Sequence, residues 1–291
     1  MTLIHTLTLP IRYDECDLYG HANHVNYLRY MQESAFAASA AVGYSVPSYA
    51  QMGRAWLVRE TNIEYLLPLR YGDSVEIRTW VEDFRRVQSR RAYELRRAGT
   101  SDVVARAYSD WVYTDTETQR PVTVPQEMVK AFWPDGKPAD SSPRERFPEP
   151  PDPPPGKFSQ RRHVQWSEID PARHVNNAEY LSYLEDCAVR DAASRGWPME
   201  RMLEEGGFAI VARGYRIQYL QQAFLGDELE VSTWISDVRR TSAVRHYTIH
   251  RVSDGELLTR ARALWVWVNL ESGRPMRIPE HFAEDFAANI V

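Results

Sequence analysis

Two short runs hold the side chains best placed to do chemistry. Asp17, His21 and Asn23 recur as Asp170, His174 and Asn176, the same Asp-x-x-x-His-x-Asn spacing 153 residues later. A stripe of apolar residues at helical spacing follows each run: Leu28, Met31, Ala35, Ala38 and Val42 in the first, Leu181, Leu184 and Ala188 in the second. Each Asp therefore stands just ahead of a helix start. A carboxylate there can activate water as a general base or attack a carbonyl carbon itself. The free amides of the helix N-terminus point toward the same place and can hold an oxyanion. The histidines can orient the loop or donate to a carbonyl oxygen, and the asparagines can cap the helix or fix a water. A plainer reading competes with each of these. Asp and Asn at a helix start commonly do no more than cap it, and a loop histidine can make a hydrogen bond without chemistry. Asn176 followed by Glu179 has the form of a capping pair, and the asparagines read as more structural than catalytic.

Other candidates are weaker. His21 and His24 have a metal-like spacing, but the second run carries Asn177 in place of His24 and no cysteine or carboxylate cluster completes a closed site. No metal or cofactor is expected. Glu33, Glu185 and Asp186, one to two turns into the helices, are second-line acids. Tyr27 and Tyr180 read as packing residues. Arginines 85, 86, 90, 91, 239, 240 and 245 can meet phosphates, but a charged, exposed strand face explains them more simply. Neither a glycine-rich phosphate loop nor a Gly-x-Ser-x-Gly elbow occurs.

The elements that must hold these residues are themselves duplicated. At a shift of 154, Gly72-Asp73 meets Gly226-Asp227, Thr79-Trp80 meets Thr233-Trp234, Arg85-Arg86 meets Arg239-Arg240, Trp111-Val112 meets Trp265-Val266, and Arg120-Pro121 meets Arg274-Pro275. A self-match of this kind must be read before any fold is assigned. The chain is a tandem duplication, with repeats expected at 1–133 and 161–291 and a proline-rich linker at 134–160. Proline supplies no amide to a ladder or a helix interior, so the linker reads as an extended spacer. Each copy predicts a short strand (Thr6 to Tyr13; His163 to Trp166), the loop, and the helix. Four strands follow: Trp56–Leu66, Ser74–Glu82, Ser89–Arg97 and Val103–Tyr113 in copy one, Phe208–Leu220, Glu228–Ser236, Ala243–Arg251 and Leu257–Val268 in copy two. A short helix closes each (Gln126–Trp133; Glu280–Ala288). Strands joined by short links form an antiparallel sheet, against which the helix buries its stripe.

Composition narrows the class. Of 291 residues, 43% are hydrophobic and 26% charged, enough for packed cores and against disorder, while the net charge of −5 argues against a non-specific nucleic-acid binder. No run reaches the roughly 18–20 apolar residues of a membrane span. Nothing near the start has the form of a signal peptide. Two cysteines, Cys16 and Cys187, make no disulfide framework. The expectation is a cytoplasmic protein with neither membrane nor nucleic acid as partner.

The run WSEIDPARHVNNAEYL, Trp166 to Leu181, resembles the Asp-x-x-x-His-Val-Asn-Asn-x-x-Tyr motif of the hotdog-fold acyl thioesterases, both the 4-hydroxybenzoyl-CoA thioesterase-like group and the acyl-ACP thioesterases. YDECDLYGHANHVNYL, Tyr13 to Leu28, keeps Asp17, Gly20, His21, Asn23 and Tyr27 but has Ala22 and His24 where the motif prefers Val and Asn. The endings RPVTVP and RPMRIP are similar to the family's last turn. The resemblance implies an α+β double hotdog: two repeats, each with a long helix on a five-stranded antiparallel sheet, forming an internal pseudo-dimer with two sites. It implies hydrolysis of an acyl-CoA, less readily an acyl-ACP, thioester to free acid and thiol, without cofactor. Asp17, His21, Asn23, Asp170, His174 and Asn176 are the site residues it points to, with helix N-terminal amides as oxyanion hole. The acyl-ACP enzymes carry an Asn two residues after the Asp, where this chain has Tyr19 and Ala172, and a downstream strand acid, where the nearest positions are Pro68 and Gln222. The alternatives are a hotdog enoyl-thioester hydratase or dehydratase, and a non-catalytic acyl-thioester binder. Further homo-oligomerisation of pseudo-dimers is left open.

Overall fold

A computed structural model describes residues 3–136, 143–204 and 206–291. The chain divides into two compact units, Met1–Arg146 and Phe147–Val291. The expected linker straddles that boundary, and its residues 137–142 lie outside the described residues.

Unit 1 runs β1 (His5–Pro10), α1 (His24–Ala41), a short α2 (Val46–Gln51), β2 (Arg54–Tyr65), β3 (Ser74–Phe84), β4 (Gln88–Arg97), β5 (Val103–Asp115) and α3 (Gln126–Phe132). The strands pair antiparallel in the order β1-β3-β4-β5-β2. Along β3, Val75, Ile77, Thr79 and Val81 are buried while their neighbours are partly exposed, the period-two pattern of a sheet with one covered face. Helix α1 covers that face with Tyr27, Leu28, Met31, Ala35 and Ala38. At the far end, α3 closes the core through Met128, Phe132 and Trp133 against Val81 and Tyr113.

Unit 2 repeats the plan with β6 (Phe158–His163), α4 (Asn177–Ser194), α5 (Met199–Glu204), β7 (Phe208–Tyr219), β8 (Glu228–Ser236), β9 (Ser242–Arg251), β10 (Leu257–Asn269) and α6 (Glu280–Asp285). Its strand order is β7-β10-β9-β8-β6, again antiparallel. Each unit is therefore one long helix on a five-stranded antiparallel sheet, the α+β arrangement read from the repeat. Among the described residues no helix is long and apolar enough to cross a membrane.

Several expectations need correction. β1 stops at Pro10, and Tyr13–Glu15 is a 3₁₀ turn. β6 lies upstream of the expected strand, beginning at Phe158 inside the expected linker, and Trp166–Glu168 is a second 3₁₀ turn. The segment FSQRRH hides its strand because it is a half-buried edge with little apolar alternation. Helices α2 and α5 were not foreseen, and α6 is shorter than its expected span. The arginine-rich β4 and β9 are not exposed faces throughout: Arg90, Arg91 and Arg245 are buried. Arg90 makes a two-pronged pair with Asp110 at 2.8 Å and lies over the Tyr108 ring. Arg245 donates to Asp191 at 2.6 Å, and Arg195 reaches the other oxygen of the same carboxylate at 2.7 Å. The corresponding helix position in unit 1, 153 residues earlier, is Ala38. Among the described residues Arg91 accordingly has only a long 3.4 Å contact with Thr79 Oγ1 and the Phe132 ring nearby.

The proline-rich segment is pinned locally. In unit 1, Arg144 pairs with Asp83 and donates to Gln88. In unit 2, Phe147 is buried between the guanidinium groups of Arg216 and Arg260, and Arg260 holds Glu149 at 2.6 Å. The Gly156 amide donates to the Ala288 carbonyl, and Arg195 donates to the Gly156 carbonyl.

Candidate active site

The two loops share one construction. The Asp17 amide donates to the His21 carbonyl at 2.8 Å, and Asp170 to His174 at 3.1 Å, closing a tight turn over the intervening residues. The Asn amide then donates back to a glutamate carbonyl, Asn23 to Glu15 and Asn176 to Glu168. Those glutamates were not singled out in the sequence, yet their side chains fasten the loop. Glu15 accepts from the Arg12 amide and the Tyr30 hydroxyl, both at 2.8 Å. Glu168 accepts from the Gln165 amide and the Tyr183 hydroxyl, both at 2.7 Å, and pairs with Arg162. Glu15 with Glu168, and Tyr30 with Tyr183, obey the 153-residue shift, so the repeat itself contained the signal.

Asn23 and Asn176 are the helix N-caps, their Oδ1 atoms accepting from Val25 and Ala178 at 2.9 Å. Their carbonyls accept from Asn26 and Glu179. The cap, second and third amides at each helix start are thus already spent. This narrows the expected oxyanion hole to the first helical amide, that of Asn177 in unit 2, which has no hydrogen-bond acceptor among the described residues.

The Asp carboxylates are half-buried and partly committed. Asp17 Oδ1 accepts from the Tyr19 and His21 amides at 2.9 and 3.2 Å. Asp170 Oδ1 accepts from the Ala172 amide at 2.8 Å, and its Oδ2 from Asn176 Nδ2 at 3.2 Å. A carboxylate offers about four lone-pair sites, so Asp170 retains accepting capacity beside these two contacts. The structural role is therefore real, and room for a further contact is real as well.

The histidines differ between the loops. His174 Nδ1 lies 3.1 Å from the Val175 carbonyl. Two lone pairs would repel there, so Nδ1 carries the proton and Nε2 is left as an acceptor. That Nε2 is buried and has no partner among the described residues. In that tautomer His174 Nε2 is placed to accept a hydrogen from water. His21 is ladder-paired with Arg70. Burial, and then the Arg70 charge, hold its pKa below the usual imidazole value, with Asp17 opposing. The position of Arg70 is taken in unit 2 by the exposed Phe224.

Tyr27 and Tyr180 are buried packing residues, edge-on to Tyr65 and Tyr219. The Tyr180 hydroxyl, pushed up to about 12 mainly by burial, accepts from the Ala223 amide at 2.9 Å and fastens the loop floor. Glu33 and Asp186 are exposed, and Asp186 has only a 3.9 Å approach to Arg162. Glu185 is half-buried in α4.

Known proteins share this organisation. Residues 3–132 match the family model described as the acyl-ACP thioesterase N-terminal domain, and residues 164–286 the one described as the thioesterase-like superfamily. The chloroplastic acyl-[acyl-carrier-protein] hydrolase of Cuphea viscosissima is 23% identical over 166 residues, 54% of this chain and 40% of that protein. The chloroplastic palmitoyl-acyl carrier protein thioesterase of Gossypium hirsutum is 22% identical over 258 residues, 82% of this chain and 58% of that protein. The chain thus spans about half the length of these relatives. The solved 12:0-ACP thioesterase of Umbellularia californica has the same fold, with a TM-score of 0.72 at 18% identity over 90% of this chain and 93% of that one. The chain thus carries a domain of the acyl-ACP thioesterase N-terminal type over residues 3–132 and a domain of the thioesterase-like superfamily over residues 164–286, on the helix-on-sheet plan of a solved relative.

Proposed function

We propose that the chain hydrolyses acyl thioesters, releasing a free carboxylic acid and a thiol. The observation that carries this reading is the acceptor His174 Nε2, buried without a partner, in the same loop as a carboxylate with spare lone pairs and an unspent helix amide. In the proposed reaction Asp170 takes the proton from an attacking water, with His174 Nε2 accepting the second water hydrogen. The Asn177 amide receives the oxyanion. Collapse of the tetrahedral intermediate breaks the carbon–sulfur bond, and the thiolate leaves with the proton held by Asp170. Asp17, His21 and Asn23 form the corresponding set in unit 1. The relatives are named for acyl carrier protein substrates, which supports acyl-ACP as the first carrier to test beside acyl-CoA. Two unpaired cysteines, one of them buried, suit a reducing cytoplasm.

Thiol release from a panel of acyl-ACP and acyl-CoA substrates tests the reading. Loss of a positioned base costs about 10²–10⁴ in rate. Asp170→Asn should remove the unit 2 contribution on that scale, Asp17→Asn the unit 1 contribution, and the double variant nearly all turnover. Unchanged thiol release by the double variant would reject the assignment. Enoyl absorbance changing without thiol release would mark a hydratase, and bound, intact thioester a non-catalytic binder.

A further inference from the structure

Unit 2 contains a cavity of about 430 Å³ that the hydrolytic reading does not use. Ser236 and Asp237 at the end of β8, His246 of β9 and Arg262 of β10 line it together with Glu149, whose carboxylate is held by Arg260, and Pro148, Pro150, Pro151 and Val291 supply the remaining walls. It lies at the opposite end of β8 from the Asp170 loop. The Val164 amide ties the loop approach to Asp227, just before β8, and the nine residues of that strand span about 30 Å.

The charges on this face do not balance. Arg262 stands directly opposite His246 on one side and opposite Arg216 on the other. Facing like charges on adjacent strands destabilises a sheet. Arg260, on the same face, is matched by Glu149. Arg262 has no carboxylate within 4 Å among the described residues. Unit 1 has no facing pair of cations here. At the positions of Arg216, Arg262 and Leu264 it has Asn62, Tyr108 and Asp110, and Asp110 takes the Arg90 guanidinium. Arg144 further occupies Asp83, the counterpart of Asp237. In unit 2 the equivalents of Arg90 and Asp110 are the apolar Val244 and Leu264, so no acid stands two residues along the strand from Arg262.

The polar floor is already assembled. His246 and Ser236 are only 6% and 7% exposed, with Ser236 Oγ 2.8 Å from His246 Nε2 and 3.2 Å from Asp237 Oδ2. The imidazole is stacked on Trp234, which fixes its plane. We propose that this cavity binds a small organic carboxylate, its charge taken by Arg262 beside the Ser236–His246 pair and its apolar body resting on the proline wall. The exposed Asp237 at the rim disfavours a dianion, which selects a carboxylate over a phosphate. The site is independent of the hydrolytic loops.

The test is titration of the full chain with sodium hexanoate, sodium benzoate and inorganic phosphate. Calorimetry gives affinity, and the His246 imidazole resonances locate the site. Both carboxylates should shift His246. Arg262→Gln should weaken them by about tenfold or more, the loss of one charge-assisted fork. Leu264→Asp restores the acid that unit 1 carries and should compete with the ligand to a similar degree. It provides a second, independent variant should Arg262→Gln fold poorly. Asp170→Asn should leave the affinity unchanged. Absence of any His246 shift, affinity unchanged from the parent chain in both cavity variants, or tighter binding of phosphate would overturn the proposal.

Discussion

At the scale of single residues, the duplication provides an internal control. Arg91 and Arg245 occupy equivalent buried positions, yet only Arg245 faces a carboxylate, Asp191, which is itself fully buried. Removing one partner of a buried pair strands the other, at a cost of about 3–5 kcal/mol, whereas replacing an uncompensated buried charge by an apolar side chain is neutral or stabilising. Arg245→Met should therefore lower stability in urea melts, by less than that figure because Arg195 still holds the other Asp191 oxygen, while Arg91→Met should be unchanged or gain. Equal losses would mean that Arg91 has a counter-charge of comparable strength. His246 gives a second residue-scale prediction. Burial first, then Arg262, hold its imidazole down to about 4, with Asp237 opposing. Above the unfolded value of about 6.5 the ring is neutral in both states. As pH falls from there toward 4, the unfolded chain takes a proton that the folded one refuses, so stability drops and then levels off. The full effect is up to about 2–3 kcal/mol, reduced by water reaching the open side of the ring. Melts at pH 7.5 and pH 5 should show a smaller pH-dependent loss in His246→Asn than in the parent. Identical losses would place the ring in solvent.

At the scale of elements, the loop and the helix cap are one device. Asn176 closes the first turn of α4 through Ala178, docks the loop through Glu168, and holds Asp170 Oδ2. Loss of an N-cap costs about 1 kcal/mol. Asn176→Ala should show that modest loss in melting, together with a much larger fall in thioester hydrolysis, because the carboxylate loses its positioning bond. Asp170→Glu run alongside should retain fold and cap but misplace the carboxylate. A stability loss with full activity would make Asn176 a cap alone. Much of this device could be read in advance. The Asp, His and Asn spacing located the loop, the Asn caps fell where a capping residue is expected, and the apolar stripe chose the buried helix face. What was hidden was hidden for physical reasons. Glu15 and Glu168 act through backbone and tyrosine partners distant in sequence. The β6 edge has half-buried polar residues that carry no alternation, and the tautomer of His174 depends on a carbonyl that only folding brings beside it.

At the scale of the whole molecule, the copies have kept the same strand order and register logic while diverging in their buried charges. Ala38 against Asp191, Asp110 against Leu264, and Arg70 against Phe224 are the particular exchanges. The first two each remove an acid from one copy, and the third puts Phe224 where unit 1 has Arg70 ladder-paired with His21. The shift by 153 and then 154 residues made the two-unit plan legible, because matching Gly-Asp and Trp-Val pairs need no knowledge of contacts. The arginine-rich strands misled, because a guanidinium in sequence does not reveal whether a carboxylate waits opposite.

Gly156 sets a limit on how the chain can be altered. A Cβ placed there would lie 2.3 Å from the Ala288 carbonyl oxygen, a collision with backbone that no rotamer can relieve. Gly156→Ala should therefore lower the melting stability of the full chain by about 1–3 kcal/mol, the usual toll of overpacking. Extra glycine and serine residues inserted between Arg146 and Phe147 fall at the unit boundary beside the exposed Arg146, and doubling a tether's length costs only about 0.6 kcal/mol in closure entropy. The connector between the copies is tolerant of length and intolerant of girth. A designer wishing to fit a tag or a third module should splice it at the unit boundary and leave one hydrogen atom at position 156 untouched.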